Sequence, residues 1–223
     1  MKITVPAKPY PAEIDLTETA VVIIDMQKDF ILPGGFGESL GNDVALLGAA
    51  VPPCEELLAL ARANNLLVIH TREGHRGDLS DVFPAKLERC KPSCKIGDPG
   101  PMGRILIRGE DGHDFVDSLK PLANEVVIEK PGKGAFYSTE LDLILRRHHI
   151  KNLLVAGVTT EVCVSSTIRE ANDRGYNCVV VDECCGSYFP EFHRVALEMV
   201  AAQGGIFGFV CQLTDLTAAI NKD

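Results

Sequence analysis

The chain has 223 residues, 46% hydrophobic and 24% charged, enough for one substantial core, and it reads as a single domain over 1–223. Its net charge of −9 excludes a nucleic-acid or anionic-membrane surface as the main partner. No apolar run approaches a membrane span, and residues 1–10 lack the apolar stretch of a signal peptide, so the expected compartment is cytoplasmic.

Strands and helices alternate along the chain. Residues 19–25 form a continuous β-branched run, the pattern of a strand covered on both faces. Asp25 closes it, where a carboxylate is costly without a partner or a task; a turn or helix cap is the plainer alternative. Residues 53–64 read as a helix with Cys54, Leu57, Leu58 and Ala61 on one face, and 66–71 as a second strand. Residues 72–124, rich in Gly, Pro and charge, read as a long irregular excursion, a lid or subunit contact. His70 with His75, and Cys90 with Cys94, lack the spacing of a metal site, so no metal is expected. Residues 126–129 are a third strand, followed by Lys130, whose plain alternative is a solvated strand-end lysine. A Gly-rich turn leads to a helix near 139–149, opened by a Thr139 and Asp142 capping pair. Three more strands fall at 153–156, 178–181 and 206–210, with helices near 161–174 and 190–202 between them. The eight cysteines, in a chain without an export signal, read as free thiols; the adjacent Cys184 and Cys185 read as packed rather than as a redox dithiol.

Six strands joined by helices predict an α/β fold, an open and mostly parallel sheet with helices on both faces. Ligands of such sheets bind beyond the carboxyl ends of the strands, where Asp25, Lys130 and the turn before Cys163 all fall. Cys163 follows a Gly/Thr turn, and Val164, Ile168 and Ala171 then recur at helical spacing up to Gly175. In a first helical turn, unpaired N–H groups and the helix dipole favour a thiolate, the state of a nucleophile; a buried structural cysteine is the alternative. Asp25 could take the thiol proton and return it to a leaving amine, with Lys130 stabilising the pair. The 158–160 turn could aim N–H groups at an oxyanion, together with the N–H of Cys163. No Gly-rich phosphate loop is present, and the first strand ends in Asp-Met-Gln rather than a dinucleotide fingerprint, so no cofactor is expected.

Asp25 in Val-Ile-Ile-Asp-Met-Gln-Lys-Asp-Phe, Lys130 after the third strand, and Gly-Val-Thr-Thr-Glu-Val-Cys163 together resemble the isochorismatase-like cysteine hydrolases, over about residues 19–210. The resemblance implies a Rossmann-like three-layer α/β/α fold and an Asp25–Lys130–Cys163 triad. It also implies an oxyanion hole at Thr159 and Cys163, a nonproline cis peptide at Val158–Thr159, and a homo-oligomer, a tetramer by preference. Within the family the stretches 70–76, 97–101, 130–134, 169–176 and 203–208 are most similar to biuret hydrolases. That likeness puts Gln203 against the substrate, with Phe30 as an apolar wall and Lys133 facing the pocket; Gln203 as a helix cap and Phe30 as plain core are the alternatives. Thr71-Arg72 stand where metal-dependent nicotinamidases carry ligands, and Cys163 is absent from members that cleave the isochorismate ether. The expected activity is therefore a cysteine amidohydrolase acting on a terminal C–N bond of a small carbamoyl or urea-type amide, biuret to allophanate and ammonia, through a thioester. Triuret, ureidoacrylate or an N-carbamoyl amino acid are alternative substrates, and a non-catalytic scaffold of the same fold is the alternative of another class.

Overall fold

A computed structural model describes residues 1–89 and 94–222; of the Cys90 and Cys94 pair, Cys90 lies outside the described residues. A hairpin of β1 (Lys2–Val5) and β2 (Ala12–Asp15), which the sequence pattern did not announce, precedes β3 (Thr19–Ile24). Three one-turn helices, α1 (Lys28–Ile31), α2 (Phe36–Ser39) and α3 (Ala45–Gly48), lead into α4 (Val51–Ala63) and β4 (Leu67–Glu73). The excursion carries α5 (Pro84–Glu88) and a minimal hairpin, β5 (Pro99–Gly100) with β6 (Gly103–Arg104). Then come β7 (Val126–Lys130), α6 (Leu141–Arg147), β8 (Asn152–Val158), α7 (Ser165–Asp173), β9 (Asn177–Gly186), α8 (Pro190–Gly205), β10 (Phe209–Cys211) and α9 (Leu213–Ile220).

Six of these strands form one parallel sheet in the order β10-β9-β8-β3-β4-β7, as the alternating pattern anticipated. The central β3 is buried at every position. Its two-residue period divides it: Val21 and Ile23 pack with Leu57 and Leu58 of α4 and Leu216 of α9. Ala20, Val22 and Ile24 pack with Leu145 of α6, Ile168 of α7 and Leu197 of α8. Both faces being covered explains why the strand reads as an unbroken apolar run. From β3 the chain moves outward to β4 and β7, then returns to β8 on the other side of β3. That reversal opens a crevice beyond the carboxyl ends of β3 and β8. Gly157, at φ +115°, lets β8 approach there; a Cβ would overlap the backbone of Ile24.

The excursion is tied down rather than loose. The buried Asp29 accepts from the N–H groups of Leu106 at 3.0 Å and Phe36 at 3.4 Å. The buried Gln27 donates to the carbonyls of Glu73 (3.0 Å) and His113 (3.1 Å) and accepts from the Glu73 N–H at 2.7 Å. Val82, Ile96 and Ile105 form a satellite core packed on Phe30 and Phe36. The expected Thr139 and Asp142 capping pair forms only in part: the Thr139 hydroxyl accepts from the Leu141 N–H at 3.3 Å. Thr139 donates to the Ala135 carbonyl at 2.6 Å, while Asp142 accepts from Tyr176 Oη at 2.8 Å and Arg146 Nε at 2.9 Å. Among the described residues the thiols of Cys54, Cys94, Cys163, Cys178, Cys184, Cys185 and Cys211 are all free, and no helix is long and apolar enough to cross a membrane.

Candidate active site

Four strand ends converge at the crevice. Asp25, just past β3, takes a left-handed φ of 52°, a conformation Asp tolerates better than most residues. Its N–H donates to the Thr71 carbonyl at 3.0 Å, and the Thr71 hydroxyl donates to Asp25 Oδ1 at 2.7 Å. Thr71 thus orients the carboxylate.

Lys130 ends β7 and is wholly buried. Its Nζ donates to the carbonyls of Gly132 and Lys133, both at 2.9 Å. Asp25 Oδ2 faces the ammonium as a contact ion pair at 2.7 Å, without an aligned hydrogen bond. Burial pushes the Lys130 ammonium toward the neutral form, but Asp25, Cys163 and Glu73 outweigh it and raise its pKa, so it stays charged.

Glu73, which the sequence reading did not single out, ends β4 and is fully buried. Three ammoniums surround it: Lys86 Nζ at 2.6 Å, Lys133 Nζ at 2.9 Å, and Lys130 Nζ at 3.7 Å. Burial pushes its carboxyl up, but Lys130, Lys133 and Lys86 prevail and hold it at about 2. The signal that could have found it is the strand-end rule itself. The sequence pattern placed the end of this strand at residue 71, whereas β4 runs to Glu73. Lys86 comes from α5, inside the excursion, and its Nζ also meets His75 Nε2 and donates to the Pro131 carbonyl, both at 2.8 Å.

Cys163 lies in a π-helical turn, Thr160–Val164, that runs directly into α7. The Val158–Thr159 bond before it is cis. The turn is held from outside: Thr160 Oγ1 is 2.8 Å from His193 Nδ1, and His193 Nε2 is 3.1 Å from Asp182 Oδ1. Thr167 Oγ1 donates to the Cys163 carbonyl at 2.7 Å. The surroundings of Cys163 oppose the expected thiolate more than they favour it. Burial pushes the thiol pKa well up, Lys130 opposes, and the Asp25 and Glu73 carboxylates add to the rise. The thiol donates a long bond to Glu73 Oε2 at 3.8 Å. Ligand-type atoms of Asp25, Glu73 and Cys163 lie within 4.8 Å of one another, and the Lys130 ammonium supplies the positive charge among them.

A cavity of about 230 Å³ opens on the thiol, lined by Phe30, Lys133, Thr159, Glu161, Cys163 and Tyr188 among others. It falls below the roughly 300–1,000 Å³ of drug-sized ligand sites, so it suits a very small molecule. A larger surface cleft of about 440 Å³, beside β1 and β2, lies away from the carboxyl ends of the six-stranded sheet and has no cysteine in its lining. Phe30 and Lys133 line the smaller cavity. Gln203 does not. It sits exposed in the break of α8, at φ 52° before the positive-φ Gly204 and Gly205, so it ends the helix and stays out of the cavity.

Residues 19–211 match the isochorismatase domain family. Over 226 residues the chain is 30% identical to ureidoacrylate amidohydrolase RutB of Azorhizobium caulinodans, covering 96% of this chain and 95% of that one. A crystal structure of a cysteine hydrolase from Pseudomonas syringae pv. phaseolicola superposes with a TM-score of 0.81 at 27% identity, over 97% of this chain and 98% of that chain. An isochorismatase family protein from Desulfovibrio vulgaris gives 0.73 at 31% identity, over 89% and 96%.

Proposed function

The chain belongs to the isochorismatase family and is a cysteine hydrolase acting on C–N bonds, and we propose that it cleaves a terminal C–N bond of biuret, yielding ammonia and allophanate. The observation that carries the chemistry is the Cys163 thiol buried within reach of two carboxylates, one of them paired with Lys130. The state of Lys133 supports a neutral substrate. It is the cation that lines the cavity among the described residues, and both oxygens of Glu73 already hold it, at 2.9 and 3.1 Å.

In this mechanism Asp25 accepts the thiol proton while Lys130 holds the resulting charges together. Glu73, kept ionised by its three ammoniums, is a weak base and serves to orient the thiol. The sulfur attacks a terminal carbamoyl carbon. The C–S bond forms, the N–H groups of Thr159 and Cys163 receive the oxyanion, and the C–N bond breaks as Asp25 returns the proton to the departing ammonia. Water, deprotonated by Asp25, then attacks the thioester, and the proton passes back to sulfur as the acid leaves.

A second substrate, ureidoacrylate, is favoured by the name of the relative at 30% identity and by Lys133, whose side chain is 49% exposed and would meet its carboxylate. Ammonia release from biuret, triuret, ureidoacrylate, N-carbamoylsarcosine and nicotinamide separates these, each against Cys163→Ser. Preferential, Cys163-dependent turnover of biuret is the expected outcome. Preference for ureidoacrylate moves the substrate, and turnover retained by Cys163→Ser removes the nucleophile.

A further inference from the structure

We propose that Glu161 determines specificity in the cavity: its carboxylate accepts the N–H groups at the far end of a urea-type substrate and repels substrates carrying a carboxylate there. This deepens, and rests on, the amidohydrolase function proposed above.

Glu161 stands two residues before Cys163 in the π-helical turn and lines the same cavity as the thiol. Its Oε2 is buried and has no hydrogen-bond partner among the described residues. The other carboxylates at the site are met by cations: Asp25 by Lys130, and Glu73 by Lys86 and Lys133. A buried carboxylate oxygen without a donor is costly unless a ligand supplies one. The plain alternative is a carboxylate complementing the N-terminal end of a helix. That role is served from the solvent side and gives no reason to bury an oxygen without a donor.

Elsewhere the wall offers the neutral acceptors Asn42 and Thr159 and the lysine-held Glu73, so Glu161 is its carboxylate without a cation partner among the described residues. Phe30, Phe36, Val162 and Phe189 are apolar, and the Tyr188 hydroxyl is committed to the Phe30 carbonyl at 2.6 Å. Lys133 is held by Glu73 and no ion pair reaches Glu161 among the described residues, so the Glu161 carboxylate acts on the bound molecule without a cation beside it. A terminal amide offers that carboxylate two N–H donors. A terminal carboxylate meets like charge across a space too small to hold many screening waters, a selection made by repulsion as much as by attraction.

The test is binding to the Cys163→Ser protein by calorimetry, with biuret and with N-carbamoylglycine, whose carboxylate lies one bond beyond the position of biuret's far carbonyl carbon. Biuret is expected to bind the tighter. Adding Glu161→Gln, which keeps an acceptor and removes the charge, should tighten N-carbamoylglycine about tenfold and weaken biuret only a few-fold. Adding Glu161→Leu should weaken biuret at least about tenfold. A biuret-to-N-carbamoylglycine ratio unchanged in both variants overturns the inference, as does a Cys163→Ser protein that binds neither compound. Turnover reports on the proposed function separately. If no member of the substrate panel releases ammonia, or a neutral member other than biuret does, the biuret proposal fails while the binding ratio still decides Glu161.

Discussion

A single carboxylate, Glu73, collects three lysines and a thiol, and its chemistry follows from which of them it keeps. Ionic groups out of water are stable only when each charge is met, and here the Lys86, Lys133 and Lys130 ammoniums meet one carboxylate. The consequence is a division of labour between two acids. With its pKa held near 2, Glu73 stays ionised and has little affinity for the thiol proton, leaving Asp25 as the base. Asp25→Asn is therefore expected to lower kcat by about 10³-fold or more, and Glu73→Gln by roughly 10- to 100-fold, measured as ammonia release at saturating substrate. Equal losses would undo the division. Lys86 extends the point. Burial pushes its own pKa below the ordinary lysine value while Glu73 opposes, and its loss removes one of the ammoniums that depress Glu73. In Lys86→Met the Glu73 carboxyl moves up toward its ordinary range, so the acidic limb of kcat/KM should shift to higher pH, with Lys86→Arg restoring it. A limb that stays in place would assign Lys86 to packing alone.

At the scale of elements, the nucleophile turn is rigid because neighbours hold it, not because its own residues favour it. Thr160, His193 and Asp182 link the turn to α8 and β9, and Gln212 Nε2 donates to Asp182 Oδ2 at 3.1 Å, bringing in the segment before α9. On its other side, β8 closes on β3 at Gly157, beside Asp25. A side chain there would need φ +115° and would overlap the Ile24 backbone. Gly157→Ala is expected to cost more than about 3 kcal/mol in urea unfolding, because neither strand can shift without breaking the central pairing. His193→Ala keeps the fold and frees one end of the turn. Its expected signature is a loss of kcat with little change in KM, read from steady-state kinetics. A change confined to stability would reduce His193 to a structural tie.

For the whole molecule, the parts legible in the sequence were those governed by short-range periodicity. The run 19–24 marks the buried central strand, and the strand-end rule locates Asp25, Lys130 and Cys163. Long-range pairing was not legible. Lys86 sits in a segment without periodicity, and only the folded excursion carries it to Glu73; Gln203 was placed by local likeness, which says nothing of a helix break that turns it away. These long-range charge pairs also govern how the molecule meets acid. Burial lowers the pKa of His70 against the opposing pull of Glu125, and burial with Lys86 lowers that of His75. Such groups stabilise the fold above the unfolded histidine value of about 6.5 and lose that contribution as pH falls below it. Glu73 and Glu125 lie at about 2, so their contribution is whole above the unfolded glutamate value of about 4.3 and disappears between there and about 2. For the fully buried Glu73 the loss is on the order of 3 kcal/mol. Urea unfolding midpoints should therefore hold steady from pH 8 to 7, decline gently toward pH 5, and fall steeply from pH 4 to 2. Lys86→Met weakens the hold on Glu73 and should flatten the steep acid step. A step of the same depth in that variant would show that the ammoniums around Glu73 do not set the acid stability of the fold.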